Sequence, residues 1–395
     1  MRPVEAQRIV TRRDLVISLC AAPAVWAAAD APEPISIPVK LNDYGQILTA
    51  VRVNGSRPLW CELDTGGGGP LLFLDTATAA SIGVGATSVG RSTGATDAAA
   101  DVDGRAQVNL TFPSFDLPAQ QLVIKAKPLA GDKEGTIGLM MLGRFVVELD
   151  HIAPALRLHD AESFRYSGPG QAIPFTIENQ NPYVTVSLTL SKGEEVQGRF
   201  VIDTGAAGSI AYLARSFAGR NRLPERALKS APDSLGLTAC RIEKIAVGPF
   251  SVDRPIVHQF GASGFGGNPE PDGMLGIDFL RRFRLFLDYG RKQAILEPNA
   301  RYREACRFDA SGIRVYRPAG ERQAVQIFQV LPGTPASDAG LREGDNLMAL
   351  DDRPVERMSP GMVQEALRED GRELTLLVQR KFDVFTVRLK LRKIL

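Results

Sequence analysis

Short stretches of the chain alternate apolar and polar residues, the period of two that is typical of β-strands with one buried face. Residues 47–53 and 184–190 follow this pattern, and each stretch ends at a turn, Asn54-Gly55 in the first case and Lys192-Gly193 in the second. Short segments of the same kind, with frequent glycines between them, continue to about residue 300. This part of the chain is therefore predicted to be mostly antiparallel β-structure.

The order of these elements occurs twice. Each strand after the turn leads into the tripeptide Asp-Thr-Gly, at residues 64–66 and again at 203–205. At nearly equal distances further on, the pattern Gly-x-x-x-Leu-x-Arg-Phe-x-x-x-Leu-Asp recurs at residues 138–150 and 276–288. A matched pair inside a matched repeat predicts two lobes of one fold, residues 35–160 and 171–300, joined by Ser167-Gly168-Pro169-Gly170.

Each predicted lobe presents one carboxylate, from Asp64 and from Asp203. Two carboxylates held close together cannot both ionise cheaply, so they share a proton and supply one base and one acid at the same place. The base activates a bound water while the acid polarises a substrate carbonyl, and no covalent intermediate is needed. A single Asp-Thr-Gly is a common turn sequence, but two copies at matching positions favour catalysis.

The two copies resemble the lobes of retropepsin-like and pepsin-like aspartic proteases, whose signature is an apolar pair, Asp-Thr-Gly and a later apolar pair with Gly. The later element corresponds to Ile137-Gly138 and to Met274-Leu275-Gly276. The resemblance covers about residues 35–300 and implies a mainly β chain with two β-barrel lobes, the later strand passing beneath each Asp loop. It also implies an aspartic-type endopeptidase, a hydrolase. The residues it assigns are Asp64 and Asp203 as the catalytic dyad, and Thr65, Gly66, Thr204 and Gly205 as supports of the catalytic loops.

The sequence departs from that family pattern after each tripeptide. Pepsin-like lobes carry Ser or Thr there, whereas Gly67 and Ala206 occupy the positions here. The four glycines at residues 66–69 predict a more mobile first loop, which favours the alternative of a catalytically weak or inactive peptide-binding protein of the same fold. Glycine-containing hairpins over the cleft are expected at Ser92-Thr93-Gly94 and at Ser234-Leu235-Gly236.

A third module follows at residues 310–395. Thr334 is predicted to cap a short helix that has Pro335 at its first position, and a second helix is predicted to begin at Ser359-Pro360. The order of turn, helix cap and strand resembles PDZ domains of the bacterial type, which add an extended peptide to a sheet edge and hold its C-terminal carboxylate. The resemblance implies Ser311, Gly312 and Ile313 as the carboxylate loop, and a module that recruits or gates the peptide. A structural appendage or a lid on the lobes is the alternative.

Residues 1–29 have the features of an export signal. Arg12-Arg13 lies in a twin-arginine-like motif, an apolar run follows, and Ala27-Ala28-Ala29 is the expected cleavage site. An uncleaved leader or a lipoprotein through Cys20 are the alternatives. Cleavage predicts an exported, periplasmic bacterial protein without a transmembrane segment, whose partners are peptide or protein substrates. With 47 basic and 45 acidic residues the charge is balanced, which argues against nucleic acid or an anionic membrane as a partner.

The remaining reactive residues predict no other chemistry. The three histidines lie away from any Ser or Cys nucleophile motif, and His151, which follows the end of the first repeat, is expected at the surface. No paired-Cys or His-Glu-x-x-His spacing indicates a metal, so neither metal nor cofactor is expected. Cys61 is expected in a buried strand, and whether Cys240 pairs with Cys306 stays open.

Overall fold

The computed structural model describes residues 32–395 except residues 68, 70, 93–100, 127–128, 130–132, 222, 225–226, 230–236, 262–269 and 318–324. The predicted export signal lies outside the described residues, as do Thr93-Gly94 and Ser234-Leu235-Gly236 of the two candidate hairpins. Within the described part, no helix has both the length and the apolar character needed to cross a membrane.

The first lobe and the strands next to it run from residue 35 to residue 160. The elements in chain order are β1 (Ile35–Ile37), β2 (Val39–Leu41), β3 (Ile47–Val53), β4 (Leu59–Asp64), β5 (Leu71–Asp75), α1 (Thr76–Ser81), β6 (Ser88–Ser92), β7 (Asp101–Thr111), β8 (Asp116–Lys125), β9 (Gly135–Gly138), the 3-10 helix Leu139–Leu142, β10 (Phe145–Asp150) and β11 (Ala155–Asp160).

Eight of these strands form one sheet in the order β2-β3-β4-β9-β5-β8-β7-β6. Strand β3 also pairs with β7, at Arg52↔Thr111 and Val53↔Leu110, so the sheet curls back on itself like a barrel. Strand β4 lies parallel to β9, and Asp64 stands opposite Gly138. In the first copy, the pattern that begins at Gly138 therefore starts directly beside Asp64.

The second lobe repeats this arrangement. Its elements are β12 (Gln171–Pro174), β13 (Thr176–Glu178), β14 (Asn181–Thr189), the 3-10 helix Ser191–Gly193, β15 (Glu195–Ile202), β16 (Ala211–Leu213), α2 (Arg215–Arg220), β17 (Ala227–Lys229), β18 (Thr238–Arg241), β19 (Lys244–Val247), β20 (Phe250–Asp253), β21 (Ile256–Gln259), β22 (Gly273–Leu275), α3 (Ile277–Leu280), β23 (Phe283–Asp288) and β24 (Gln293–Pro298). The main sheet runs β17-β18-β21-β16-β22-β15-β14-β19-β20, with β13 paired to β14. Parallel pairing of β15 with β22 sets Ile202 opposite Leu275, as β4 and β9 do in the first lobe.

A six-stranded sheet, β1-β11-β10-β23-β24-β12, joins the lobes with three strands from each. Its central pair is β10 with β23, antiparallel, with Val147 opposite Leu287. These two strands are the Arg-Phe-x-x-x-Leu-Asp segments of the two repeats, so the repeat itself supplies the contact between its copies. Buried residues of both lobes and of this sheet form one continuous apolar core. The pairing of like segments antiparallel to one another is what a pseudo-two-fold axis produces.

The third module has its own core and a different sheet. Its elements are β25 (Ile313–Tyr316), β26 (Val325–Val330), α4 (Pro335–Asp338), β27 (Asn346–Leu350), β28 (Arg353–Pro354), the 3-10 helix Val355–Arg357, α5 (Pro360–Ala366), β29 (Glu373–Arg380) and β30 (Asp383–Lys390). The predicted cap is present, since Thr334 and Ser337 form a capping box at α4, and the separate apolar core lies within this module. The predicted fold class is confirmed: a mainly β chain of two barrel-like lobes followed by a small α+β domain.

The third module also packs against both lobes. Leu395, at the end of the chain, packs with Ala239 and Ile256 of the second lobe. At the start of α5, a Cβ atom on Gly361 would lie 2.3 Å from the carbonyl oxygen of Asp43 in the first lobe. The glycine therefore permits a close backbone contact that any other residue would obstruct.

One sequence prediction, for His151, and one open question, the pairing of Cys240 with Cys306, concern residues outside the Asp loops. His151 is not at the surface: it is 4% exposed, and burial lowers its pKa to about 4. The prediction was wrong because the repeat ends in the central strand β10, so the residue after it turns into the interior, near Arg281 and Arg301. Cys240 and Cys306 are free thiols in the structure.

Candidate active site

The two Asp-Thr-Gly loops lie at equivalent positions of the two lobes. Asp64 is the last residue of β4, and Asp203 directly follows β15. In the second lobe the backbone N–H of Asp203 donates to the carbonyl oxygen of Leu275 at 3.0 Å, which fixes the start of the loop to β22. Each Asp thus leaves a buried strand that is held in place by the parallel strand beside it.

The threonines join the two loops to each other. The hydroxyl of Thr65 accepts from the backbone N–H of Thr204 at 2.9 Å and donates to the carbonyl oxygen of Ile202 at 2.5 Å. The hydroxyl of Thr204 accepts from the N–H of Thr65 at 3.1 Å and donates to the carbonyl oxygen of Leu63 at 2.8 Å. Both threonines are buried. We call these four hydrogen bonds the threonine lock; it fixes the two loops relative to each other.

The lock brings the two carboxyl groups together. The side chains of Asp64 and Asp203 are hydrogen-bonded to each other. A Cβ atom on Gly66 would lie 2.4 Å from Oδ2 of Asp203, and one on Gly205 would lie 2.6 Å from Cγ of Asp64. Each glycine therefore faces the carboxyl group of the opposite lobe, and the absence of a side chain there is what lets the carboxyl groups meet.

Backbone N–H groups hold the carboxylates from within their own loops. Gly66 donates to Oδ1 of Asp64 at 2.7 Å. Gly205 and Ala206 donate to Oδ1 of Asp203 at 2.8 and 2.9 Å. The brace that pepsin-like lobes are expected to obtain from a Ser or Thr hydroxyl is here supplied at least in part by main-chain donors.

Burial raises the pKa of both dyad carboxyls above the ordinary range. The charge of Asp64 and that of Glu62 raise the pKa of Asp203 further, whereas Lys133 and backbone donors lower that of Asp64. Asp203 is also the less accessible of the two, at 6% exposed. Two buried carboxyls this close together share one proton, so the pair can supply one acid and one base.

A buried polar group that the sequence reasoning missed lies behind Asp64. Glu62 is fully buried in β4 and bonds to Lys133 and to Gln46. The amide of Gln46 also donates to the carbonyl oxygen of Gly205 at 2.6 Å, so this group reaches the loop of the other lobe. Burial raises the pKa of Glu62 to about 7, against the lowering effect of Lys133. The signal in the sequence was a Glu inside an otherwise apolar strand, which a buried ion pair explains.

Close packing explains part of the glycine run after Asp64. A Cβ atom on Gly67 would lie 3.2 Å from Oδ2 of Asp64, which is tight but on a φ that other residues adopt. Gly69 has a φ of +105°, and a Cβ there would lie 1.9 Å from Oε1 of Gln180 in the second lobe. The carbonyl oxygen of Gly69 in turn occupies the space beside Gly138. Among these three residues, close packing explains the glycine at positions 69 and 138 fully and at position 67 only in part.

One histidine lies near the second Asp loop. Nδ1 of His258 is 2.9 Å from the hydroxyl of Ser209, and both residues are buried. The ring stacks on Tyr212 and its Nε2 is 3.5 Å from Arg314 of the third module. Burial lowers the pKa of His258 to about 3. With an arginine rather than a carboxylate behind it, this Ser–His pair has no orienting acid and is not a nucleophilic triad.

The predicted carboxylate loop of the third module is at the start of β25. Ser311, Gly312 and Ile313 are buried, and Gly312 has a φ of +86°. The backbone N–H groups of Ser311 and Gly312 donate to the side chain of Asp309 at 3.2 and 2.5 Å. The loop is therefore already bound to a carboxylate of its own chain.

Comparison with known protein families supports the identification of the third module. Residues 309–379 match the family model of the PDZ domain, so the predicted PDZ domain is confirmed. PDZ domains bind extended peptides and the C-termini of proteins. The chain therefore contains a peptide-binding type of domain.

Solved structures similar to this chain include two proteases. An aspartic proteinase from Irpex lacteus is 13% identical, with a TM-score of 0.45, over 68% of this chain and 98% of that one. The photosystem II D1 C-terminal processing protease is 25% identical, with a TM-score of 0.20, over 22% of this chain and 23% of that one. Neither likeness is close enough to assign an activity to this chain.

Proposed function

We propose that the chain is an aspartic endopeptidase that cleaves peptide bonds with a water activated by Asp64 and Asp203. The observation that carries the proposal is the pair of carboxyl groups hydrogen-bonded across the threonine lock. Burial raises the pKa of both carboxyls, which supports the proposal further, because one proton shared between them provides a base and an acid at one place.

The proposed reaction uses the two side chains in turn. A water held by the dyad attacks the carbonyl carbon of the substrate, Asp64 takes one of its protons, and Asp203 gives its proton to the carbonyl oxygen. The resulting tetrahedral diol collapses as Asp64 protonates the leaving nitrogen and Asp203 recovers a proton from the diol. The C–N bond breaks, the dyad returns to its starting state, and the net reaction consumes one water.

The test is hydrolysis of a mixed peptide library by the purified protein as a function of pH. Asp64→Asn and Asp203→Asn should each lower kcat by about 10²–10⁴-fold, the usual contribution of a positioned acid or base. Asp150→Asn is the matched control: Asp150 ends β10 of the six-stranded sheet and accepts from the N–H of Ile152, which an Asn side chain also does. It should retain full activity.

Two results would contradict the proposal: no cleavage of any peptide by the unsubstituted protein, or an unchanged rate in either dyad variant. The first result would favour a peptide-binding protein of the same fold, the alternative that the four glycines at residues 66–69 favour. A peptide that carries a hydroxyl-bearing tetrahedral carbon in place of the scissile amide separates the cases further. An active dyad should bind it far more tightly than the parent peptide.

The proposal extends to location and to the PDZ domain. The leader motif supports export to the periplasm, and an N-terminal sequence determination of protein from the periplasmic fraction would test it.

The PDZ domain is proposed to recruit or gate the peptide, because it packs against both lobes, at Asp43 and around Leu395. Deletion of residues 310–395 should then change the choice of substrate.

A further inference from the structure

The loop at the start of β25 is built to bind an anion. Successive backbone N–H groups next to a residue of positive φ form a concave donor site that suits a carboxylate. Ser311 and Gly312 supply such donors, and the φ of +86° at Gly312 is the conformation that turns them to the same side. A Cβ atom on Gly312 would lie 2.0 Å from the hydroxyl of Thr334, so this conformation is set by close packing as well.

Asp309 fills that donor site. Its Oδ1 accepts from the N–H of Ser311 at 3.2 Å and from the hydroxyl of Ser311 at 2.6 Å, and its Oδ2 accepts from the N–H of Gly312 at 2.5 Å. The third residue of the loop is also engaged, because the N–H of Ile313 donates to the hydroxyl of Ser311 at 3.1 Å. These donors are therefore satisfied without any ligand.

Helix α5 closes the other side. The amide of Gln364 donates to the carbonyl oxygen of Ile313 at 3.3 Å and lies 3.5 Å from Oδ1 of Asp309. An added peptide strand would run along this edge of β25. Gln364 thus binds across the groove that such a peptide would enter.

We propose that Asp309 is a built-in occupant of the carboxylate loop, and that a ligand with a free C-terminal carboxylate binds the PDZ domain only by displacing it. The ligand and Asp309 compete for the same N–H groups. Release of Asp309 is therefore the step that admits a C-terminus, and Asp309 sets how readily this domain recruits one.

Protonation of Asp309 is expected to favour release. Burial raises the pKa of its carboxyl to about 6, against the lowering effect of the loop donors and of the Arg314 charge. Below that pH the carboxyl is neutral and a weaker acceptor, while the α-carboxylate of a ligand, with a pKa of about 3.5, stays ionised. Ligand affinity should rise as pH falls from 7.5 to 5.5.

The experiment measures binding of a fluorescent peptide with an apolar, free C-terminal residue to the full-length chain. The protein carries Asp64→Asn so that the probe is not cleaved, and the same peptide with an amidated C-terminus is the control ligand. Asp309→Asn, which keeps the shape of the side chain but removes its charge, should bind the free-acid peptide about tenfold more tightly at pH 7.5. The amidated peptide should show no gain.

A further variant and the pH dependence separate displacement of Asp309 from a folding defect. Ser311→Ala removes the hydroxyl's hydrogen bond to Asp309 and frees the N–H of Ile313, but it keeps both backbone N–H groups that hold Asp309, so it should give a smaller gain. Asp309→Asn should also abolish the rise in affinity at low pH that the protein with Asp309 shows. Equal affinity with and without Asp309, or equal binding of acid and amide by the Asp309→Asn variant with an unchanged thermal midpoint, would overturn the inference. Because binding is read without hydrolysis, this outcome is independent of whether the chain is a protease.

Discussion

The two halves of the candidate site share their hydrogen-bonded frame and differ in what surrounds each carboxyl. The threonine lock is symmetric, with each hydroxyl making one bond as acceptor and one as donor across the axis. Behind Asp64, by contrast, lies the ion pair of Glu62 and Lys133, where the second lobe has the buried apolar residue Val201 at the matching position. The frame fixes the distance between the carboxyls. Beyond the effect of burial, the surroundings act on the two pKa values in opposite directions, since Lys133 lowers that of Asp64 and the charge of Glu62 raises that of Asp203.

The largest effect is expected from substitutions in the threonine lock, which should lower the stability of the lobes. Thr65→Val or Thr204→Val removes a hydroxyl and leaves a buried N–H and a buried carbonyl oxygen without their partner. Each orphaned group costs about 1–3 kcal/mol, so each variant should lose several kcal/mol of lobe stability, and the two losses should be similar. Thermal unfolding and peptide hydrolysis measure the two consequences.

Thr76→Val is the control for the lock. Its hydroxyl makes one exposed hydrogen bond, to the carbonyl oxygen of Lys125, and a surface substitution of this kind should stay within about 0.5 kcal/mol. A large loss in Thr204→Val combined with none in Thr65→Val would show that the lock is not symmetric in energy, although it is in geometry.

The shared frame was predictable from sequence, and the buried ion pair behind Asp64 was not. Local alternation and the repeated Asp-Thr-Gly gave the strands, the two lobes and the residues of the lock, because these depend on patterns within a few residues. The roles of Gln46 and Lys133 depend on contacts with a strand that is distant in sequence. Only the tertiary fold brings such residues together.

In the six-stranded sheet and in the PDZ loop, the sequence identified the segment but not the tertiary contact that it makes. The segments at residues 144–150 and 282–288 were recognised as a repeat, but their pairing with each other is a property of the assembled lobes. The loop at residues 311–313 was identified by resemblance to a carboxylate site, whereas its occupation by Asp309 follows from a side chain that the resemblance did not consider. The prediction that His151 lies at the surface was wrong for the same reason, because its neighbours in sequence did not reveal its burial.

Lys133 should control the acid limit of activity. Its charge lowers the pKa of Asp64, and the proposed mechanism needs Asp64 ionised. Lys133→Met should therefore raise that pKa and move the acid limb of the kcat/KM profile upward by about one pH unit, the lower end of what a neighbouring charge does. Arg57→Met is the control, because it removes a similar charge from the adjacent but exposed pair with Glu134. An acid limb that stays in place in Lys133→Met would mean that the ion pair behind Asp64 does not influence the dyad.

The smallest effect is expected from restoring the hydroxyl that the first half-site lacks. Gly67→Ser places a Cβ atom 3.2 Å from Oδ2 of Asp64, so the added hydroxyl can donate to the ionised carboxylate after a small shift. A hydrogen bond to the charged form lowers a pKa, and the acid limb should move down by about half a unit, opposite to the effect of Lys133→Met. Ala206→Ser is the matched substitution in the second lobe and should instead lower the pKa of Asp203, which moves the alkaline limb down. If both serine variants moved the same limb, the assignment of the base to Asp64 and the acid to Asp203 would be wrong, because each hydroxyl would then be acting on the pair rather than on its own carboxyl.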